Sequence, residues 1–155
     1  GLERVAIIDF DVLHGNGTED IVTGDERILM VSFFQHPLYP NSGADSDEPN
    51  MVNLPIPPYS KGPYIRDLIE KTWLPRLEEF KPQMVFISAG FDAHRDDDLG
   101  QLGLVEQDYA WITQRIKELA KRHAKGRIVS SLEGGYNLNA LARSVEAHVR
   151  VLAEL

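Results

Sequence analysis

Short apolar runs alternate with longer amphipathic stretches along the chain. Val5-Ala6-Ile7-Ile8 contains no polar residue and reads as a buried strand of the parallel type. Arg27 to Phe34, Met84 to Ser88 and Arg127 to Leu132 read as further strands, Met84 to Ser88 buried. Between the strands, Tyr64 to Phe80 places Ile65, Leu68, Ile69, Trp73, Leu77 and Phe80 at helical spacing, and Pro75 is expected to kink that helix or split it. Leu104 to about Ala124 is a second helix with Tyr109, Ile112, Ile116 and Leu119 inward; basic residues at its end suit the dipole and Gly126 stops it. A closing helix starts at a cap, Asn137 or Asn139, and carries the stripe Leu141, Val145, His148, Val149 and Leu152. From Gln35 to about Pro63, Pro, Asn, Ser, Gly and Asp punctuate a long loop, with one short extended piece from Met51 to Pro55. Such a loop is either the wall of a site or a tolerated surface excursion. The order of elements predicts an α/β domain over residues 1–155: a parallel sheet flanked by helices, joined by right-handed crossovers.

Polar residues gather where the predicted strands end. Asp9 and Asp11 stand at the end of the first, and strand alternation puts Asp9, Asp11 and Leu13 on one side and Phe10, Val12 and His14 on the other. Two acids on one face of an apolar strand are costly to bury unless a cation or hydrogen-bond donors compensate them. The plainer reading makes them turn acids that cap the next helix. Gly15 and Gly17 then permit a sharp turn. Ser32 lies near the end of the second strand. Asp92 follows the third strand after Gly90, and Tyr136 follows the fourth after Gly134 and Gly135. Open α/β sheets place ligands at this edge, so the convergence argues a site. The run Asp96-Asp97-Asp98 reads as a solvated face rather than a second metal site. His148 reads as a core-edge histidine and His123 as a dipole partner.

Composition narrows the function. A net charge of -8 argues against direct nucleic-acid binding. Without cysteine there is neither a disulfide nor a thiolate metal site. No apolar run approaches the roughly 20 residues of a membrane span and no leader is visible, so a cytoplasmic protein with no membrane partner is expected. Magnesium-dependent phosphate chemistry is disfavoured, because no Gly-rich phosphate loop with its Lys is present.

Three motifs, spread over the chain in order, resemble the histone deacetylase superfamily, which includes acetylpolyamine amidohydrolases. Asp9-Phe10-Asp11-Val12-Leu13-His14-Gly15-Asn16-Gly17-Thr18 resembles the family's Asp-x-Asp-Val-His-His-Gly-Asn-Gly-Thr. Ser88 to His94 resembles its second metal motif, and Leu132 to Leu138 its catalytic-tyrosine loop, with wording closest to the bacterial and class II branches. The resemblance implies an arginase/deacetylase-like fold and roles for these residues. Asp11 and Asp92 match carboxylate ligands of a catalytic zinc. Tyr136 matches the tyrosine that donates to the developing oxyanion, and Gly134 and Gly135 match substrate-binding positions beside it. Asp9, Asp11, Ser32 and Phe33, with the backbone at Leu13, match a potassium site behind the zinc. The implied substrate is an acetyl-lysine or another acetylated amine.

Two departures qualify that implication. The family's third zinc ligand is a histidine where this chain has Leu13, which offers no donor atom. His14 follows on the opposite face and cannot substitute without a change of register. Two carboxylates alone suit magnesium, calcium or manganese better than zinc. The resemblance also covers only the C-terminal half of the family's domain and lacks its general-base histidines. An edge strand and some apolar surface are therefore expected to lie uncovered, ready for self-association or for a missing half. Two functions follow for test: a deacetylase with impaired activity, or a non-catalytic binding or assembly module that keeps the fold and the alkali-metal site.

Overall fold

A computed structural model describes residues 1–155. Five parallel strands, β1 (Val5–Asp9), β2 (Ile28–Gln35), β3 (Met51–Ile56), β4 (Met84–Ala89) and β5 (Ile128–Leu132), form one sheet in the order β3-β2-β1-β4-β5. The helices are α1 (Asn16–Val22), α2 (Gly62–Lys71), α3 (Trp73–Phe80), α4 (Glu106–His123) and α5 (Leu138–Ala153). β1 is first in the chain and central in the sheet. The path leaves it toward β2 and β3 on one side and returns to its other side as β4 and β5. The crevice between β1 and β4 is therefore the switch point at which such sheets bind ligands.

Four of these strands are the apolar runs of the sequence. The short extended piece is a full fifth member, β3, paired with β2 from Met30↔Met51 to Gln35↔Ile56. Its Pro55 is tolerated because β3 is an edge.

One face carries the core. Ala6, Ile8, Val31, Phe33, Val85 and Ile87 pack against Ile65 and Ile69 of α2, Trp73 and Leu77 of α3, and the inner stripe of α4. Trp73 stacks on Phe33, and its indole N–H donates to the Ser32 carbonyl at 3.2 Å. The expected single helix breaks at Thr72 rather than Pro75. Pro75 lies in the first turn of α3, where an N–H has no intrahelical partner to lose. α5 packs on α4, and Asn137 is its cap, accepting the Ala140 N–H at 3.0 Å. His148 of α5 is held by the hydroxyls of Thr113 and Ser130, each at 2.8 Å, and burial lowers its pKa from 6.5 to about 4.

The opposite face is covered unevenly. The register aligns Met51, Met30, Ile7, Phe86 and Val129 in one row across all five strands. Met51 and Met30 are buried with Val22 of α1, whereas Phe86 and Val129 are exposed by 41% and 47%. β5 has β4 on one side only and presents its other edge unpaired, with Leu132 exposed. The bare edge and bare apolar surface expected from the sequence lie together at this end of the sheet.

Candidate active site

Just past the ends of β1 and β4 the chain turns inward twice, and Asp11 and Asp92 meet. The Asp92 Oδ1 accepts the Val12 N–H at 2.8 Å, and the Asp11 Oδ1 accepts the Leu13 N–H at 2.9 Å. The loop after β5 closes over the pair: the Gly134 N–H donates to the Asp11 Oδ2 at 2.8 Å, and the Gly134 carbonyl accepts the Phe91 N–H at 2.8 Å. Gly134 and Gly90 are required by this crowding. A Cβ on Gly134 would strike both carboxylates, and one on Gly90 would lie 2.6 Å from the Asp11 Cα. Gly135 turns away and packs beside Leu141 and Phe91.

Asp92 is 1% exposed, and its Oδ2 is buried without a hydrogen-bond partner. Burial, then the charge of Asp11, raises the Asp92 pKa far above the ordinary carboxylate range. An orphaned carboxylate oxygen facing a second carboxylate is the arrangement a cation relieves. Tyr136 stands beside the pair with its side chain open to solvent. Partial burial, then the charges of Asp92 and Asp11, raise its phenol pKa, so it is a proton-bearing donor at neutral pH.

The chain matches the histone deacetylase domain over residues 1–152. The chain belongs to the histone deacetylase family. It is 42% identical to histone deacetylase 14, chloroplastic, of Arabidopsis thaliana over 158 residues, covering 98% of this chain and 37% of that protein. A histone deacetylase-like amidohydrolase of Pseudomonas aeruginosa is 34% identical, with 88% of this chain and 38% of that protein covered. Among solved structures, the HD domain of HDA15 superposes with a TM-score of 0.90 at 34% identity, covering 99% of this chain and 46% of that one. The chain thus spans less than half the length of each of these relatives, and the fold is a part of the deacetylase fold.

The deacetylase family is generally zinc-dependent, and the donor set here departs from it. Asp11 and Asp92 meet as the motifs imply, but the third corner is Leu13, whose side chain packs partly on the core. No three side chains of His, Asp or Glu converge to hold a metal. His14 does not take the place of the missing donor. Its Nδ1 pairs with the Ser42 hydroxyl at 2.7 Å, its Nε2 with the Glu19 carboxylate, and its ring lies on Phe34. A catalytic zinc takes three protein ligands, so these residues do not fit a deacetylase zinc centre.

Two of the residues matched to the potassium site, Asp9 and Ser32, lie in a polar row next to the apolar row on the same face. Asn53, Ser32, Asp9, Ser88 and Ser131 are register partners across the sheet. Asp9 is 4% exposed and accepts the Asp11 N–H at 3.0 Å. Burial raises its pKa to about 8, with further contributions from the charges of Asp11 and Glu133. The Ser32 hydroxyl donates to the Asn53 Oδ1 at 3.2 Å. The Phe33 side chain is in the core, so any such role falls to its main chain. Asp9, Asp11, Leu13, Ser88 and Glu133 line a cleft of about 190 Å³.

Ser88 is a neighbour of Asp9 that only the strand register reveals. The aspartate run expected to be a solvated face is solvated only in part. Asp96 and Asp98 are exposed, but Asp97 is buried. The long loop is a wall on the β2 side: Ser42 bonds to His14, and the Gly43 carbonyl accepts the Asn53 side-chain N–H at 3.1 Å.

Proposed function

We propose that this chain carries the carboxylate and tyrosine side of an amidohydrolase site for acetyl-lysine or other acetylated amines, and that Leu13, together with the want of the family's general-base histidines among these residues, impairs hydrolysis by it. One observation carries the reading: the Asp11–Asp92 pair lies under the Gly134-Gly135-Tyr136 loop with an apolar side chain at its third corner. Amide hydrolysis needs a donor to the developing oxyanion, and the Tyr136 phenol supplies one. It also needs an electrophile and an activated water, which two carboxylates without a third ligand do not furnish. Asp9, Ser32 and Ser88, with main-chain carbonyls of Asp11, Leu13 and Phe33, are the proposed potassium cradle. The cytoplasm is the proposed setting.

A fluorogenic acetyl-lysine substrate tests the reading. The chain is expected to cleave it no faster than its Asp92→Asn variant, and Leu13→His with bound zinc is expected to cleave it measurably. Asp92-dependent turnover by the unaltered chain would overturn the impairment. Absence of turnover by zinc-loaded Leu13→His would show that position 13 is not the sole cause.

The proposed partner is a second deacetylase-domain segment, either the remainder of such a domain or another copy of this chain. Exposed Phe86, Val129 and Leu132 beside the unpaired edge of β5 support it. Particle mass in light scattering is expected to rise with concentration as copies pair through this end. A monodisperse monomer over a wide concentration range would count against pairing between copies.

A further inference from the structure

We propose that Asp97 is a positioning residue for Tyr136, fixing the tyrosine's backbone to the loop that carries Asp92. The inference rests on the proposed role of Tyr136 and adds the device that aims it.

Asp97 is 4% exposed and has no cationic partner. A buried carboxylate in that state must be compensated by N–H donors. Three serve it. The Oδ2 accepts the Tyr136 N–H at 2.7 Å and the Asn137 N–H at 3.3 Å, and the Oδ1 accepts the Leu99 N–H at 2.9 Å. No main-chain carbonyl accepts the N–H of Tyr136 or Asn137. The connection is reinforced beside it: the Asn137 side chain donates to the Asp96 carbonyl at 2.9 Å, and Arg143 reaches the Asp96 carboxylate at 3.3 Å.

The Tyr136 side chain is 63% exposed, so packing does not fix its ring. Its direction is set by where its backbone is held. Asp97 supplies that hold from the same loop as Asp92, so the Tyr136 phenol and the Asp92 carboxylate keep a fixed relation. The exposed neighbours Asp96 and Asp98 do not duplicate it.

The test uses Asp97→Ala and Asp97→Asn, first in the chain as it stands. Amide exchange followed by NMR is expected to accelerate roughly tenfold or more at Tyr136 and Asn137 in Asp97→Ala, with the amides of α4 unchanged. Asp97→Asn, which keeps a carbonyl oxygen toward Tyr136, is expected to restore both amides to within about threefold of the parent. The second arm repeats the pair in zinc-loaded Leu13→His. There Asp97→Ala is expected to lower kcat about a hundredfold with KM unchanged, and Asp97→Asn to recover most of it. Unchanged exchange at Tyr136 and Asn137 in folded Asp97→Ala would overturn the proposal, as would equal loss in Asp97→Asn and Asp97→Ala. If Asp97→Ala does not fold, Asp97→Asn decides: protected Tyr136 and Asn137 amides support the anchor, and fully exposed ones refute it. A Leu13→His background without turnover would count against Leu13 as the sole cause of the impairment, while the exchange arm still decides the anchor.

Discussion

Leu13→His is expected to raise the zinc affinity of this chain by at least about a hundredfold, the upper range for loss of even an indirect zinc contact. Leu13 stands on the cleft shared with Asp9 and Asp11, and its N–H already binds the Asp11 carboxylate. An imidazole there brings a nitrogen donor to the side of the pair where the present side chain brings none. Two hard carboxylates become a carboxylate–imidazole–carboxylate set, the kind of three-ligand site that a catalytic zinc takes. Calorimetry and elemental analysis of the two chains measure the change. Equal, stoichiometric zinc in both would mean that a donor other than residue 13 completes the centre. His14 is a poor candidate, since Ser42 and Glu19 occupy both of its ring nitrogens.

The second large effect has the opposite character. Asp92→Asn is expected to stabilise the metal-free protein by about 1–3 kcal/mol while abolishing cation binding. The buried Asp92 Oδ2 faces Asp11 and has no donor. An asparagine keeps the carbonyl that accepts the Val12 N–H and turns an amide N–H toward Asp11 without the cost of holding a proton on a buried carboxyl group at neutral pH. The pH dependence carries the same signature. A carboxyl group whose folded pKa is raised holds its proton in the native state after the unfolded chain has released it. The native state then binds more protons than the unfolded one, and stability falls as pH rises from the ordinary carboxylate range toward the raised value. Asp9, raised to about 8, acts in the same direction, so part of the slope survives in Asp92→Asn. His148, lowered to about 4, acts against it below pH 6.5, where the unfolded chain takes up a proton that the folded one refuses. Thermal unfolding of both chains at several pH values with chelator present measures the effect. A lower midpoint for Asp92→Asn at pH 7 would show that burying the Asp92 carboxyl group beside Asp11 costs the folded state nothing.

The fold was legible where a residue's fate depends on its immediate neighbours. Four apolar runs became strands, β1, β2 and β4 inside the sheet and β5 at its edge; a parallel sheet buries an interior strand without requiring alternation. β3 escaped because Asn53 and Pro55 interrupt it, and only its place beside β2 makes it a strand. The break at Thr72 was misplaced to Pro75 because proline's cost depends on how far into a helix it falls. In the site, Asp11 and Asp92 stood out as acids directly after strands. Asp97 did not, because its three donors come from Leu99 and from residues about 40 positions away, and nothing in a run of aspartates tells which one points inward.

The central position of β1 has a consequence for time rather than geometry. Its pairing with β2 joins residues close in sequence, whereas its pairing with β4 must bring together partners such as Val12 and Asp92, 80 positions apart. Such distant parallel pairing is the slow kind. The β1-β2-β3 wing can form while Asp11 still lacks its counterpart, and Gly134 closes over Asp11 from 123 positions away. Formation of the carboxylate pair is thus expected to mark the last docking event of refolding. A substitution that delays β4 would postpone the appearance of cation binding and leave the affinity of the finished protein unchanged.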